Sequence, residues 1–211
     1  MKEEELIVYR TTDNFGIRVD YDYFYQQSRL HTNWANPLAD IGAKIFFLNQ
    51  FRCHLPYAIA DELSAVLEVV LPFFIQIQDT EIQNLHEGQE IYPIIAEIFD
   101  TLRSHINRFR ETATGKFMHM TSPYLLTMID SVIATFMQQN GIIHHYLTTG
   151  EDYISLLRYY NNEINGLIEN IMQIHGVNRL DAINRIKEKD AFAEGSILRI
   201  IDKHFYWLAT H

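Results

Sequence analysis

EDYISLLRYYNNEINGLIENIMQIH, residues 151–175, decides the fold class of this chain. Within it Tyr153, Ile154, Leu157, Tyr160, Ile164, Leu167, Ile168, Ile171 and Ile174 recur at spacings of three and four, so a helix gathers them on one face. Gly176 closes the run, because glycine most readily takes the left-handed conformation at a helix end. An apolar stripe this long needs partners, and the flanking sequence supplies mainly helices. On the C-terminal side the pattern predicts a short helix over 179–189, a break at Gly195-Ser196 and a last helix over about 197–209. On the N-terminal side, Thr121-Ser122-Pro123 combines capping hydroxyls with a proline at the first helical position, and Asn140-Gly141 supplies the matching stop. Further helices are predicted over about 89–112, 56–78, 38–53 and 21–29. Pro72 should kink or divide the one over 56–78 near Leu71, since proline has no amide hydrogen and crowds the carbonyl four residues back.

Leu6 to Tyr9 and Ile17 to Val19 are β-prone and flank a turn-like Thr11 to Gly16. The expected architecture is all-α, a multi-helix bundle of six to eight helices over 21–211, preceded by a small N-terminal β-hairpin or extended arm over 1–20, in a single domain spanning 1–211. Composition agrees: 47% of residues are hydrophobic and 21% charged, with nine glycines and five prolines. Cys53 is the one cysteine, which excludes an intramolecular disulfide and fits a reducing cytoplasm. Met1 to Glu5 is acidic where a secretory leader would be basic. The most apolar stretch, 65–77, holds Glu68, Pro72 and Gln76 and is shorter than the ~20 residues of a membrane span. A cytoplasmic protein with no membrane partner is therefore expected. With 17 Lys and Arg against 27 Asp and Glu, the net charge of -10 excludes an all-round electrostatic sleeve for nucleic acid but leaves room for a local basic pocket.

Several kinds of chemistry lack their usual carriers. The chain has neither a Gly-Lys-Ser/Thr phosphate loop nor a spaced-glycine dinucleotide fingerprint. It also has no His-Glu-x-x-His or Glu-x-x-His pair, so neither a metal nor another cofactor is expected. His119, between Met118 and Met120, reads as a loop or core histidine rather than an axial haem ligand, and His144-His145 as a polar turn. The acidic pairs Asp61/Glu62 and Glu87/Glu90 read as solvated helix faces. Tyr21, Tyr23, Phe24, Tyr25 and Trp34 form an aromatic cluster, read first as packing onto the bundle and second as a partner surface.

The constellation that carries a functional reading lies in the last helix: Gly195-Ser196-Ile197-Leu198-Arg199-Ile200-Ile201-Asp202-Lys203-His204-Phe205-Tyr206, or Arg-x-x-x-x-His-x-Tyr. With Ser196 as cap, Arg199 falls in the first turn, where free amides and the positive end of the dipole favour a phosphate. His204 titrates near neutrality and can move a proton. Arg199 and His204 are thus the candidate catalytic pair for metal-independent phosphodiester cleavage. Lys203, Ser196 and Tyr206 are candidate substrate-binding or regulatory residues.

This pattern resembles the signature of the HEPN superfamily, helical-bundle proteins that include ribonuclease toxins and abortive-infection factors. The resemblance implies an endoribonuclease of a toxin-antitoxin or phage-defence system, with RNA as substrate and Arg199 and His204 in the active-site roles. It also implies a homodimer whose two motifs form one cleft, and a cognate antitoxin that modifies Tyr206. A different reading makes the chain an acidic immunity or antitoxin-type protein that neutralises a basic protein partner without catalysis. On that view Ile197, Leu198, Ile200, Ile201, Phe205 and Leu208 form the buried face of the last helix, while Arg199, Asp202 and Lys203 are solvated.

Overall fold

The computed structural model describes residues 1–6, 21–86, 88–106, 108–144, 146–190, 193 and 195–211. Among these residues the chain forms nine α-helices and no strand. They are α1 Tyr21–His31, α2 Ile41–Gln50, α3 Ala60–Ile77, α4 Ile91–His105, α5 Glu111–Thr121, α6 Ser131–Gln139, α7 Gly150–His175, α8 Arg179–Lys187 and α9 Ile197–Thr210. The class is all-α, as the periodicity requires. Glu3–Glu5 form a single 3-10 turn, and apart from Leu6 the expected hairpin lies outside the described residues, as do Glu87 and His145.

The helix count exceeds the expected six to eight because 89–140, read as two helices, forms three. Thr121-Ser122-Pro123 ends α5 instead of starting a helix: the Thr121 hydroxyl donates back to the Phe117 carbonyl at 2.9 Å, and the Ser122 amide to that of Met118, also at 2.9 Å. Asp130 starts α6, its carboxylate accepting the Val132 amide at 2.8 Å. Between them, 122–130 stays irregular because tertiary partners take its backbone groups in place of helical bonds. The Tyr153 hydroxyl donates to the Thr127 carbonyl at 2.9 Å, and the Ser196 hydroxyl to that of Pro123 at 2.6 Å. Pro72 does not divide α3, which runs unbroken through it. Pro72 and Glu68 are both exposed, so water can reach the Glu68 carbonyl that the proline leaves without a donor.

The helix that decided the fold class also organises it. Thr149 caps α7 in a reciprocal box with Asp152, and Asp100 of α4 accepts the Gly150 amide at 2.7 Å. A Cβ at Gly150 would lie 2.4 Å from the Ala96 carbonyl oxygen, so glycine is what lets α4 and α7 touch here. Phe99 stacks on Tyr153 across the same seam at 5.0 Å between ring centroids. α4 packs between α3 and α7, and α9 lies against α6 and α7 with α8 beside them.

α9 differs from the amphipathic reading of its sequence. Every residue from Ile197 to Phe205 is buried, so Arg199, Asp202 and Lys203 are not solvated. The aromatic cluster packs against the bundle as expected: Tyr25 and Trp34 are buried, Tyr21 and Phe24 partly so, and Tyr23 is the exposed member. Among the described residues, no helix is long and apolar enough to cross a membrane.

Candidate functional site

Burying a charge is costly unless it is paired, so the partners of the buried α9 side chains define the site. Arg199 Nη2 donates to Asp22 Oδ1 at 3.1 Å, and the guanidinium lies 5.4 Å from the centroid of the Tyr25 ring. Lys203 Nζ lies 2.9 Å from the same Asp22 oxygen and also donates to Asp190 Oδ2. Asp22 comes from α1 and Asp190 from the segment after α8, so two cations and two carboxylates meet from opposite ends of the chain. Arg199 Nε, equally buried, has no hydrogen-bond acceptor among the described residues.

Asp202 is held separately. Its Oδ1 accepts from the Tyr160 hydroxyl at 2.8 Å and the Thr127 hydroxyl at 3.1 Å, and its Oδ2 from the Met128 amide at 3.4 Å. Burial pushes this carboxyl up to about 7, against the lowering effect of Arg199 and of the three donors. Nearby, His119 Nδ1 bonds the Leu126 carbonyl at 2.7 Å and Nε2 the Tyr25 hydroxyl at 3.3 Å, which assigns the proton to Nδ1. Burial lowers this imidazole to about 3, so it is a neutral core histidine whose two nitrogens already have protein partners.

Arg199, Asp202, Lys203 and Tyr206 share one wall of a cavity of about 180 Å³. Lys116 and Thr112 of α5 form another wall, and Arg52, Asp130 and Tyr21 complete the rim. Lys116 is fixed by the Phe51 carbonyl at 2.7 Å and by Asp130 at 3.4 Å. Tyr21 and Phe51 stack at 6.1 Å, giving the cavity an aromatic side. Its volume equals that of about six waters at ~30 Å³ each, enough for one phosphate or a similar terminal group. Burial, together with the nearby Asp130, raises the Tyr206 phenol, which therefore stays protonated at neutral pH.

The sequence-predicted residues divide between two flanks of α9. Arg199, Lys203 and Tyr206 line the cavity, whereas His204 is not among its lining residues. Five positions along an α-helix correspond to a rotation of about 140°, which turns His204 away from Arg199. Its charged neighbours are Glu163, Glu5 and the terminal amine, and burial lowers its imidazole while the two glutamates push it back up. Ser196 caps α9 as expected, accepting the Arg199 amide at 3.1 Å, and its hydroxyl proton goes to Pro123.

The sequence reading missed Asp22, Asp190, Lys116, Asp130 and Arg52, and it treated Asp202 as solvated. No local pattern marks Asp22 or Asp190, whose cationic partners lie 177 and 13 positions away, whereas Asp130 caps α6 and carries the local signal of a helix start. A second basic region did leave a trace: Arg103, His105, Arg108 and Arg110 crowd eight positions of an otherwise acidic chain. Among the described residues, no group of three or more His, Cys, Asp or Glu side chains is arranged to hold a metal ion. Comparison of the chain with protein-family models, with curated proteins and with solved structures gives no match.

Proposed function

We propose that the protein binds a phosphate-bearing anion in the cavity beside α9, with Arg199 as the principal donor. One observation carries this reading: Arg199 lines the cavity, and its buried Nε has no acceptor among the described residues. An unsatisfied buried donor costs about 1–3 kcal/mol, and an anion in the cavity would relieve it. Arg52 and Lys116 stand on the same walls, Lys116 beside Asp130 and Lys203 held by Asp22 and Asp190, and the guanidinium fork of Arg199 matches phosphate geometry.

A second reading extends the first to chemistry, namely metal-independent RNA cleavage of the HEPN type. What favours it is that Arg199, Lys203 and Tyr206 share the cavity with Asp202, a carboxyl able to hold or release a proton near neutrality. On this reading Asp202 does the proton transfer that the motif alone would assign to His204.

Calorimetry with inorganic phosphate and with a nucleoside monophosphate tests binding. The expected result is saturable binding by the wild type that weakens about tenfold in Arg199→Lys, which keeps the charge but loses Nε and the fork. No binding by the wild type at millimolar ligand sinks the reading. Incubation of total RNA in EDTA with the wild type, Asp202→Asn and His204→Ala tests the extension. Cleavage lost only in Asp202→Asn supports it, loss only in His204→Ala restores the motif's own assignment, and no cleavage by the wild type removes it.

A further inference from the structure

A second cavity, of about 560 Å³ and open to solvent, lies between the end of α4, the start of α5 and the turn after α2. His54, Arg103, Arg108 and Arg110 line it together with Cys53 and Phe109, and no carboxylate is among its described lining residues. In a chain of net charge -10, three arginines around one opening without an acid are a concentrated positive field. Arg103 Nε is buried and has no hydrogen-bond partner among the described residues, as with Arg199 Nε. Backbone strain gathers in the same place. Of the four non-glycine residues with positive φ among the described ones, His54 at 53° and Arg108 at 69° line this cavity, and Arg52 at 62° lines the cavity beside α9. The thiol of Cys53 is pushed up to about 11 by burial, so it adds no negative charge at neutral pH.

The two cavities flank the same turn and the same helix start. Phe51 and Arg52 face the first and Cys53 and His54 the second, while Thr112 faces the first and Arg110 the second. The geometry points to a second phosphate-binding site in the arginine cavity, so that the ligand is an anion with more than one phosphate group, one in each cavity. In its choice of ligand this inference rests on the phosphate reading of the first cavity, while the arginine cluster itself is independent of that reading. Arginine forks select phosphate over a bare negative charge, and the partly buried Tyr21 and Tyr206 rings line the first cavity.

The test uses the full chain and two probes, inorganic tripolyphosphate and a short labelled single-stranded oligoribonucleotide, across a salt series. The variant is the Arg108→Gln/Arg110→Gln pair, both residues being exposed, with Arg108→Lys/Arg110→Lys as the charge-keeping control. The expected result is that the glutamine pair binds at least tenfold more weakly than the wild type and that its salt slope falls by about 0.7 for each strand phosphate released, while the lysine pair keeps the slope. Binding of tripolyphosphate alone assigns a small polyphosphate ligand and binding of the oligonucleotide alone a nucleic-acid strand, and two phosphate sites are supported when the glutamine pair and Arg199→Lys each weaken that binding. Wild-type affinity and salt slope in the glutamine pair overturn the inference, as does failure of the wild type to bind either probe. Arg199→Lys separates the two readings: if it leaves binding intact while the glutamine pair abolishes it, the first cavity's role falls and the arginine site stands. The converse pattern removes the arginine site alone.

Discussion

α7 and α9 are both amphipathic by sequence, yet only α7 is amphipathic in the fold. α7 turns its stripe from Tyr153 to Ile171 into the core and leaves Glu151, Arg158, Asn162 and Glu169 exposed, so much of its polar face is solvated, although its buried Asn161 donates to the Ile82 carbonyl. α9 is buried around its whole circumference from Ile197 to Phe205, so each polar group on it must be met by a group from elsewhere. Asp22 and Asp190 meet the two cations, Tyr160 and Thr127 the carboxylate. Helix formation is a local matter in both. The identity of the buried polar partners is not, and the candidate site grew where those partners converge.

The sharpest way to break this comparison is to remove one partner of α9. Asp22→Asn keeps the shape but leaves Arg199 and Lys203 without their shared carboxylate. Breaking a buried ionic cluster in this way is expected to cost about 3–5 kcal/mol, read as a lower urea midpoint at unchanged slope. If Asp22→Asn unfolds at the wild-type midpoint, α9 is no more dependent on distant charges than α7 is.

Acidity gives the next largest effect, through two opposed groups. Asp202 is raised from 3.8 to about 7, so the stability it contributes is full below about 4 and is lost as the pH rises through 7. His119 is lowered from 6.5 to about 3, so its contribution is present above 6.5 and is lost as the pH falls towards 3. Between about pH 4 and 6 the two slopes, each ~1.4 kcal/mol per pH unit, nearly cancel in the wild type. Asp202→Asn should therefore lose stability on acidification through that window, and His119→Gln should gain it, measured by denaturant unfolding at a series of pH values. Parallel pH profiles for the wild type and both variants would show that neither group is held in its buried state.

The smallest effect tests the local side of the comparison. Thr149→Ala removes the α7 cap and is expected to cost about 1 kcal/mol, seen as a small drop in thermal midpoint with no change in anion binding. A cost approaching that of Asp22→Asn would mean that the start of α7 carries more than its own capping.

The helix class, the bounds of α7, α8 and α9, and the Ser196 cap were legible because each depends on residues within about four positions of one another. The same locality misled the reading at Thr121-Ser122-Pro123, where a good start signal lost to the tertiary bonds that hold 122–130 against α7 and α9. In the candidate site, sequence order singled out Arg199, Lys203 and Tyr206, which do share a cavity, together with His204, which faces Glu163 and Glu5 instead.

What the sequence determined by itself was a set of helices with apolar stripes and one basic, hydroxyl-capped helix start. Only the tertiary structure decided which charges are compensated. Arg199 and Asp22 are 177 positions apart, and Asp202 and Thr127 are 75. No periodicity links residues at such distances. Hydrophobic burial drives α9 into the interior regardless of its charges, and the folded core then fixes which of those charges find a carboxylate and which guanidinium nitrogen goes without an acceptor among the described residues.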